Sequence, residues 1–151
     1  MSAAHDANRP AGVPPIEPQE ELLRRVPPRY YPDPERAGTP KWITFQPTRN
    51  DTDGLSVNRR RFVPSLDDFS YNVARTKRWN IAQLRAAQIA ALGLHAEPRP
   101  EENDPGHAII PELNIADYHA GGTRKTKIKE WALELARACE MVLVLDAPQS
   151  G

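Results

Sequence analysis

Met141-Val142-Leu143-Val144-Leu145-Asp146 closes the chain and follows directly on an amphipathic segment that begins at Thr123. In that segment Ile128, Trp131, Ala132, Leu135, Ala136 and Cys139 recur at the spacing of one helical face. The run after it is short, rich in Val and Leu, and carries no charge before Asp146. It reads as a strand buried on both faces. A helix lying over such a strand takes the folded core almost to the last residue and leaves 147–151 as a flexible end.

Working back from this point, His107-Ala108-Ile109-Ile110 predicts a short strand closed by Pro111. Asn114 to Gly122 reads as a loop or frayed turn, with Gly121-Gly122 freeing the chain to start the last helix. Pro98 to Gly106 is a Pro- and acid-rich loop, and Leu94 to Glu97 suggests another strand. Trp79 to Leu92 has two readings, an Ala-rich helix or a strand that leads into a helix from about Leu84. Gly93 is a natural stop in either case. Ser65 suits an N-cap and Asp67 and Asp68 a first turn, so a helix is expected from Ser65 to about Thr76, with Leu66, Phe69 and Val73 along one side.

Leu55-Ser56-Val57-Asn58 alternates like a strand, and Lys41 to Gln46 is β-branched and aromatic. Arg49 to Gly54 between them has strong turn chemistry, so the two are expected to pair as a hairpin. Glu20 to Val26 reads as a short helix stopped by Pro27-Pro28. Arg29 to Pro34 is irregular, with Tyr30 and Tyr31 over part of the core. Residues 1–20 have almost no large apolar side chain and read as a disordered Pro-rich tail. The whole predicts a small single α+β domain over 21–146, with a mixed or antiparallel sheet, two to three packed helices and a buried C-terminal strand.

The chain has 151 residues, enough for one core, and its 20 basic residues balance 20 acidic ones. A neutral chain has no global field for nucleic acid or acidic lipid, so such binding needs a local patch. The one cysteine, Cys139, cannot form an internal disulfide and reads as a buried, inert thiol. No apolar run reaches the roughly 20 residues of a membrane span. Met1 to Pro18 lacks the apolar stretch of a secretory signal, so a cytoplasmic location is expected. The motifs G-x-S-x-G, H-E-x-x-H, C-x-x-C and G-x-G-x-x-G are absent, which lowers the odds of the common hydrolase, zinc and dinucleotide classes. No cofactor is expected.

His107 is the leading candidate for chemistry. It follows an acidic loop with Glu101, Glu102 and Asp104, where carboxylates can hold an imidazole in one tautomer as a base. The competing reading makes it a strand cap hydrogen-bonded to a loop carbonyl. Asp51 and Asp53 before Gly54 could hold a hard cation, but turn chemistry explains both. Asp117, His119 and Gly121-Gly122 precede a helix start, where Arg124 and Lys125 could help receive an anion. His95 and His119 show no zinc spacing, and His5 lies in the tail.

Two basic clusters stand out, Arg59-Arg60-Arg61 and Arg124, Lys125, Lys127 and Lys129, with Arg75, Lys77 and Arg78 as additions. Cations at a helix start oppose the helix dipole, so the second cluster calls for a reason. Sharing a face with Tyr30, Tyr31 or Trp42 would make a nucleic-acid surface.

Three pieces together carry a resemblance: Phe45-Gln46-Pro47-Thr48 with Asp53-Gly54-Leu55-Ser56-Val57, then Ala91-Leu92-Gly93-Leu94, then His107-Ala108-Ile109-Ile110 behind its acidic loop. Their order resembles a group of small bacterial proteins with the pattern F-x-P…D-G-L-S-V…L-G-L…H-A-x-I, over about Leu22 to Ala138. Leu113 to Gly122 then reads as an insertion and Met141 to Leu145 as an extension. The resemblance implies an intracellular bacterial protein and supplies no catalytic residue. The functional expectation is a non-catalytic domain that binds or regulates a protein partner. The alternatives are a small enzyme on a phosphodiester or nucleotide, with His107 as base and Arg29 or Arg61 on phosphate, and nucleic-acid binding through the basic clusters.

Overall fold

The structure, a computed structural model, describes residues 12–145. The expected tail from Met1 to Ala11 and the chain from Asp146 onward lie outside the described residues. Among the described residues six strands form one antiparallel sheet: β1 (Glu21–Val26), β2 (Leu55–Arg59), β3 (Asn80–Arg85), β4 (Glu97–Pro98), β5 (His107–Ile110) and β6 (Glu140–Leu143). Their order across the sheet is β4-β5-β2-β1-β3-β6. The helices are α1 (Leu66–Phe69), α2 (Ala86–Ala90), α3 (Ile115–Ala120) and α4 (Gly122–Ala138). The protein is therefore an α+β domain, with α4 as the main cover of the sheet. No described helix is long and apolar enough to cross a membrane.

The apolar spacing of the last helix decides its packing. Ile128, Ala132, Leu135 and Ala136 are buried, and they join Leu22, Val26, Leu55, Val57, Ala82, Leu84, Ala108 and Ile110 in one core. Residues opposite each other in an antiparallel ladder share a face. Leu22↔Leu84, Arg24↔Ala82 and Val57↔Ala108 mark the face toward this core. Arg25↔Ile81, Leu23↔Asn58 and Asn58↔His107 mark the other. The second face is far more polar, and the segment from Arg60 to Trp79 covers part of it, with Phe69 accepting from Arg25 and Arg60 reaching Gln83.

Several local expectations give way to tertiary pairing. Glu21–Val26 is a strand, not a helix, because all six residues pair with Asn80–Arg85 and Leu22, Leu23 and Val26 are buried. Lys41 to Gln46 holds a 3-10 helix at Trp42–Phe45, not a strand, and its Phe45 is fully buried. The hairpin with β2 is therefore not formed, and β2 pairs with β1 and β5 instead. The stretch from Trp79 resolves as strand then helix, with Gly93 at φ +82° ending α2.

Ser65 does cap α1, accepting from Asp68 N at 3.1 Å, but the helix is one turn. Asn72 Oδ1 then takes the N–H groups of Thr76 and Lys77, both at 2.8 Å, and turns the chain away. Val73, expected on the apolar side, is fully exposed. Asn114 caps α3 by accepting from Asp117 N at 2.9 Å, so part of the expected loop is helical.

Two expectations about the chain ends also change. Ile16, placed in the tail, is buried in the core. The carbonyls of Pro14 and Pro15 accept from Arg59 at 2.7 and 3.1 Å, so this part of the tail is structural. β6 is an edge strand rather than one buried on both faces, and Val144 just beyond it is 50% exposed. Among the described residues only β3 flanks it, so a run of Val and Leu meets water on its outer side.

Candidate functional site

A cleft opens where β1 and β2 part. Their pairing covers Leu22↔Arg59 and Leu23↔Asn58 and ends there. Arg24 enters the gap, donating from Nη1 to the Ser56 carbonyl at 2.8 Å and from Nε to the Thr44 carbonyl at 3.0 Å. The guanidinium thus takes a backbone acceptor on β2 that ladder pairing with β1 would otherwise satisfy. The cleft has a volume of about 600 Å³, and Arg24, Arg25, Arg29, Tyr30, Asn50 and Ser56 line it.

The charge of this cleft is the important quantity. Burial pushes the Arg24 guanidinium below its ordinary value, against the opposing pull of Asp51 and Tyr30. Burial acts the same way on Arg25, opposed by Asp104. Arg25 donates to the Phe69 carbonyl at 2.7 Å and stacks 3.9 Å from the Phe69 ring centroid and 5.5 Å from that of Trp79. Arg29, exposed, lies 4.7 Å over the Tyr30 ring. None of the three forms an ion pair among the described residues. The Asp51 carboxylate in the cleft wall is engaged locally, accepting from Thr48 N at 2.7 Å and Thr48 Oγ1 at 3.1 Å. Thr44 Oγ1, also in the wall, is buried without a hydrogen-bond partner among the described residues.

His107 stands beside this cleft on the polar face. Its Nδ1 is 2.8 Å from the Arg99 carbonyl, which can only accept, so Nδ1 carries the proton. In the neutral ring Nε2 is then an acceptor, and Ser56 Oγ lies 3.1 Å from it. Of the acidic loop, Glu101 comes within 3.9 Å of Nδ1, while Asp104 accepts from Asn58 Nδ2 at 2.7 Å. Ser56 was not singled out by the sequence reading. The alternation in Leu55-Ser56-Val57-Asn58 contains the signal, since it sets Ser56 and Asn58 opposite the buried Leu55 and Val57.

The basic clusters fare differently. Arg59 is fully buried and pairs with Glu20 through Nε at 2.5 Å and Nη2 at 2.7 Å, so it is not a surface contact. Arg60 turns to Gln83 and lies 3.7 Å from Glu21, and Arg61 stands 5.7 Å from the Phe62 ring centroid. The triplet is therefore not one patch. Arg75 and Arg78 pair with Asp68 and Asp67.

On α4, Lys125 lies 5.2 Å over Tyr118, Lys127 5.6 Å over Trp131 and Lys129 5.7 Å over Trp42. This cluster does share a surface with Trp42. A second cavity of about 440 Å³ lies beside it, lined by Glu112, Asp117, Arg124, Lys127, Ile128 and Trp131. Arg124 pairs with Asp117 at 2.6 Å. The Asn114 side chain, then Arg124, holds the Asp117 carboxyl below its usual value.

Comparison with protein-family models, curated proteins and solved structures finds no match.

The remaining candidates have local roles. Asp53 is exposed and Asp51 is used by Thr48, and no group of three or more His, Cys, Asp or Glu among the described residues could hold a metal ion. His119 is exposed beside Tyr118, with ring centroids 6.4 Å apart. His95 bridges Glu112, at 2.5 Å from Nδ1, and Glu97, at 3.4 Å from Nε2. Burial pushes the Cys139 thiol up to about 12, and its Sγ donates to the Ala136 carbonyl at 3.3 Å.

Proposed function

We propose that this protein binds a phosphate-bearing ligand in the cleft between β1 and β2. The observation that carries the reading is a set of three arginines around one cleft, none of them ion-paired to a carboxylate among the described residues. A cation drawn out of water is normally neutralised by a partner. Arg59 obeys that rule through Glu20, whereas half-buried Arg24 forms no ion pair among the described residues and Asp51 acts on it only from a distance. An anion in the cleft would supply the missing charge. Arg25 is pre-oriented by its two aromatic rings, and guanidinium forks match phosphate oxygens. The ligand group can be borne by a nucleotide or by a phosphorylated side chain of a protein, and the latter keeps a protein partner in view.

Calorimetric titration with pyrophosphate, ADP and a phosphoserine peptide tests this. A charge-assisted hydrogen bond contributes about 1.5–3 kcal/mol, so Arg25→Gln and Arg29→Gln should each weaken binding by roughly tenfold or more. Arg61→Gln, outside the cleft, should leave it unchanged. No binding by any of the three at millimolar concentration would reject the proposal.

A second reading rests on the stacked lysines of α4. Lys125, Lys127 and Lys129 lie over aromatic rings along the first half of α4, Lys125 in the first turn where a cation is least favoured, and a single-stranded nucleic acid would use both charge and rings. Its affinity for a labelled oligonucleotide should fall steeply between 50 and 200 mM salt, as counterion release requires. A flat salt response would exclude it.

A further inference from the structure

We propose that Ser56 is a nucleophile, and that the cleft hydrolyses a carboxylic ester whose substrate carries an anionic group held by its arginines. The inference rests on the anion-binding reading and adds chemistry to it. Ser56 lies in the cleft wall on β2, between β1 and β5. Its hydroxyl is 3.1 Å from His107 Nε2 on the adjacent strand, where Ser56↔Ile109 and Asn58↔His107 make the two a diagonal pair on one face. The imidazole is fixed from behind. Arg99 accepts from Nδ1 at 2.8 Å, and its own N–H donates to the His107 carbonyl at 2.8 Å. A nucleophile bonded to a base, with the base bonded to an orienting group, is the arrangement that acyl transfer requires. Arg25 belongs to the same face of the sheet and brings positive charge to the cleft.

The reaction would run in two halves. Ser56 Oγ attacks the ester carbonyl carbon while its proton passes to His107 Nε2, and Arg25 faces the negative charge on the carbonyl oxygen. Collapse of this intermediate breaks the carbon–oxygen bond to the alcohol, which leaves with the proton from Nε2. Water then attacks the acyl group on Ser56, with His107 taking its proton. The acyl–Ser56 bond breaks, the proton returns to Oγ, and an acid and an alcohol have been formed from ester and water. Glu101, 3.9 Å from Nδ1, stands where it would favour the transient imidazolium.

The test uses the full chain with a fluorophosphonate, read by intact mass and peptide mapping. Separate assays follow hydrolysis of 4-nitrophenyl hemisuccinate and of neutral 4-nitrophenyl acetate. One adduct on Ser56 is expected, absent in Ser56→Ala and formed about 100-fold more slowly in His107→Gln, the low end for loss of a general base. The anionic ester should be preferred, and Arg29→Gln should remove that preference. A merely structural Ser56–His107 bond would change the melting temperature without any labelling. Peptide mapping of the folded wild type decides the matter even if a variant does not fold, and a wild type that stays unlabelled at Ser56 overturns the proposal. Pyrophosphate binding by Ser56→Ala separates the two ideas. Binding without labelling of the wild type overturns hydrolysis alone, and labelling without pyrophosphate binding overturns the arginine site while leaving the nucleophile standing.

Discussion

Arg59 is fully buried and Arg24 half-buried, and they differ in what they meet. Arg59 meets a bidentate carboxylate and two proline carbonyls, so every donor group of its fork has an acceptor. Removing one partner of such a pair leaves a buried charge and costs roughly 3–5 kcal/mol. Glu20→Gln and Arg59→Met should therefore both lower the urea midpoint sharply, since each leaves the other member of the pair, 9% exposed at Glu20 and 0% at Arg59, without its counter-charge. An unchanged midpoint in either variant would show that the pair does not hold the fold as described. Among the described residues Arg24 hydrogen-bonds to two backbone carbonyl oxygens, and the Asp51 carboxylate acts on it from the cleft wall without pairing with it. Cys139 illustrates the opposite case, a group made unreactive by its surroundings. With its thiol pushed up to about 12, it should alkylate far more slowly with iodoacetamide at pH 8 in the folded chain than in urea.

At the scale of elements, caps and close approaches fix where segments start. Asn114 closes the first turn of α3, and Asn114→Ala should cost about 1 kcal/mol, visible as a lower melting temperature. Gly54 immediately precedes β2 with φ +148°, and a Cβ there would stand 2.6 Å from the Ile110 carbonyl oxygen. Gly54→Ala should destabilise by more than 1 kcal/mol, since strained backbone and a clash with β5 act together. A wild-type-like melting temperature for that variant would mean β2 and β5 can separate at little cost. The turn at Gly54 was legible in the chain, and so were α4, β2 and β5, whereas the Asn114 cap was not, since Asn114 to Gly122 reads as a loop until α3 packs on α4. β1 was not, because Glu-Leu-Leu-Arg-Arg-Val suits a helix locally and becomes a strand only beside β3. The Ser56–His107 pair was hidden for a related reason, its members lying 51 residues apart.

For the molecule as a whole, stability should follow the ion pair between His95 and Glu112, which ties the chain before β4 to that after β5. The hydrogen bond to Glu112 raises His95 above its ordinary 6.5, so this contribution is complete below 6.5 and fades as pH rises through the raised value. Burial acts upward on Glu112, but the bonds from His95 outweigh it and hold the carboxyl below its ordinary 4.5. That contribution is complete above 4.5 and fades as pH falls through the lowered value. Both are present between 4.5 and 6.5. Wild type should exceed His95→Gln most in that window when urea midpoints are measured across pH 3 to 9. A pH-independent gap would show that the pair does not titrate as described. Deleting residues 1–18 should also destabilise, since it removes Ile16 and the carbonyls that Arg59 uses.

The amino-acid order alone determined the α+β character, the inward stripe of α4 and the stops at Pro27 and Gly93, because spacing and turn chemistry act within a few residues. Only the tertiary structure decided which of three consecutive arginines is internal, since Glu20, which neutralises Arg59, is 39 positions away. It likewise decided that β6 lies at an edge, for burial of a strand depends on how many neighbours it has. The arginine cleft exists for the same reason: β1 and β2 part after two residue pairs, and nothing local to either strand records where its partner turns away.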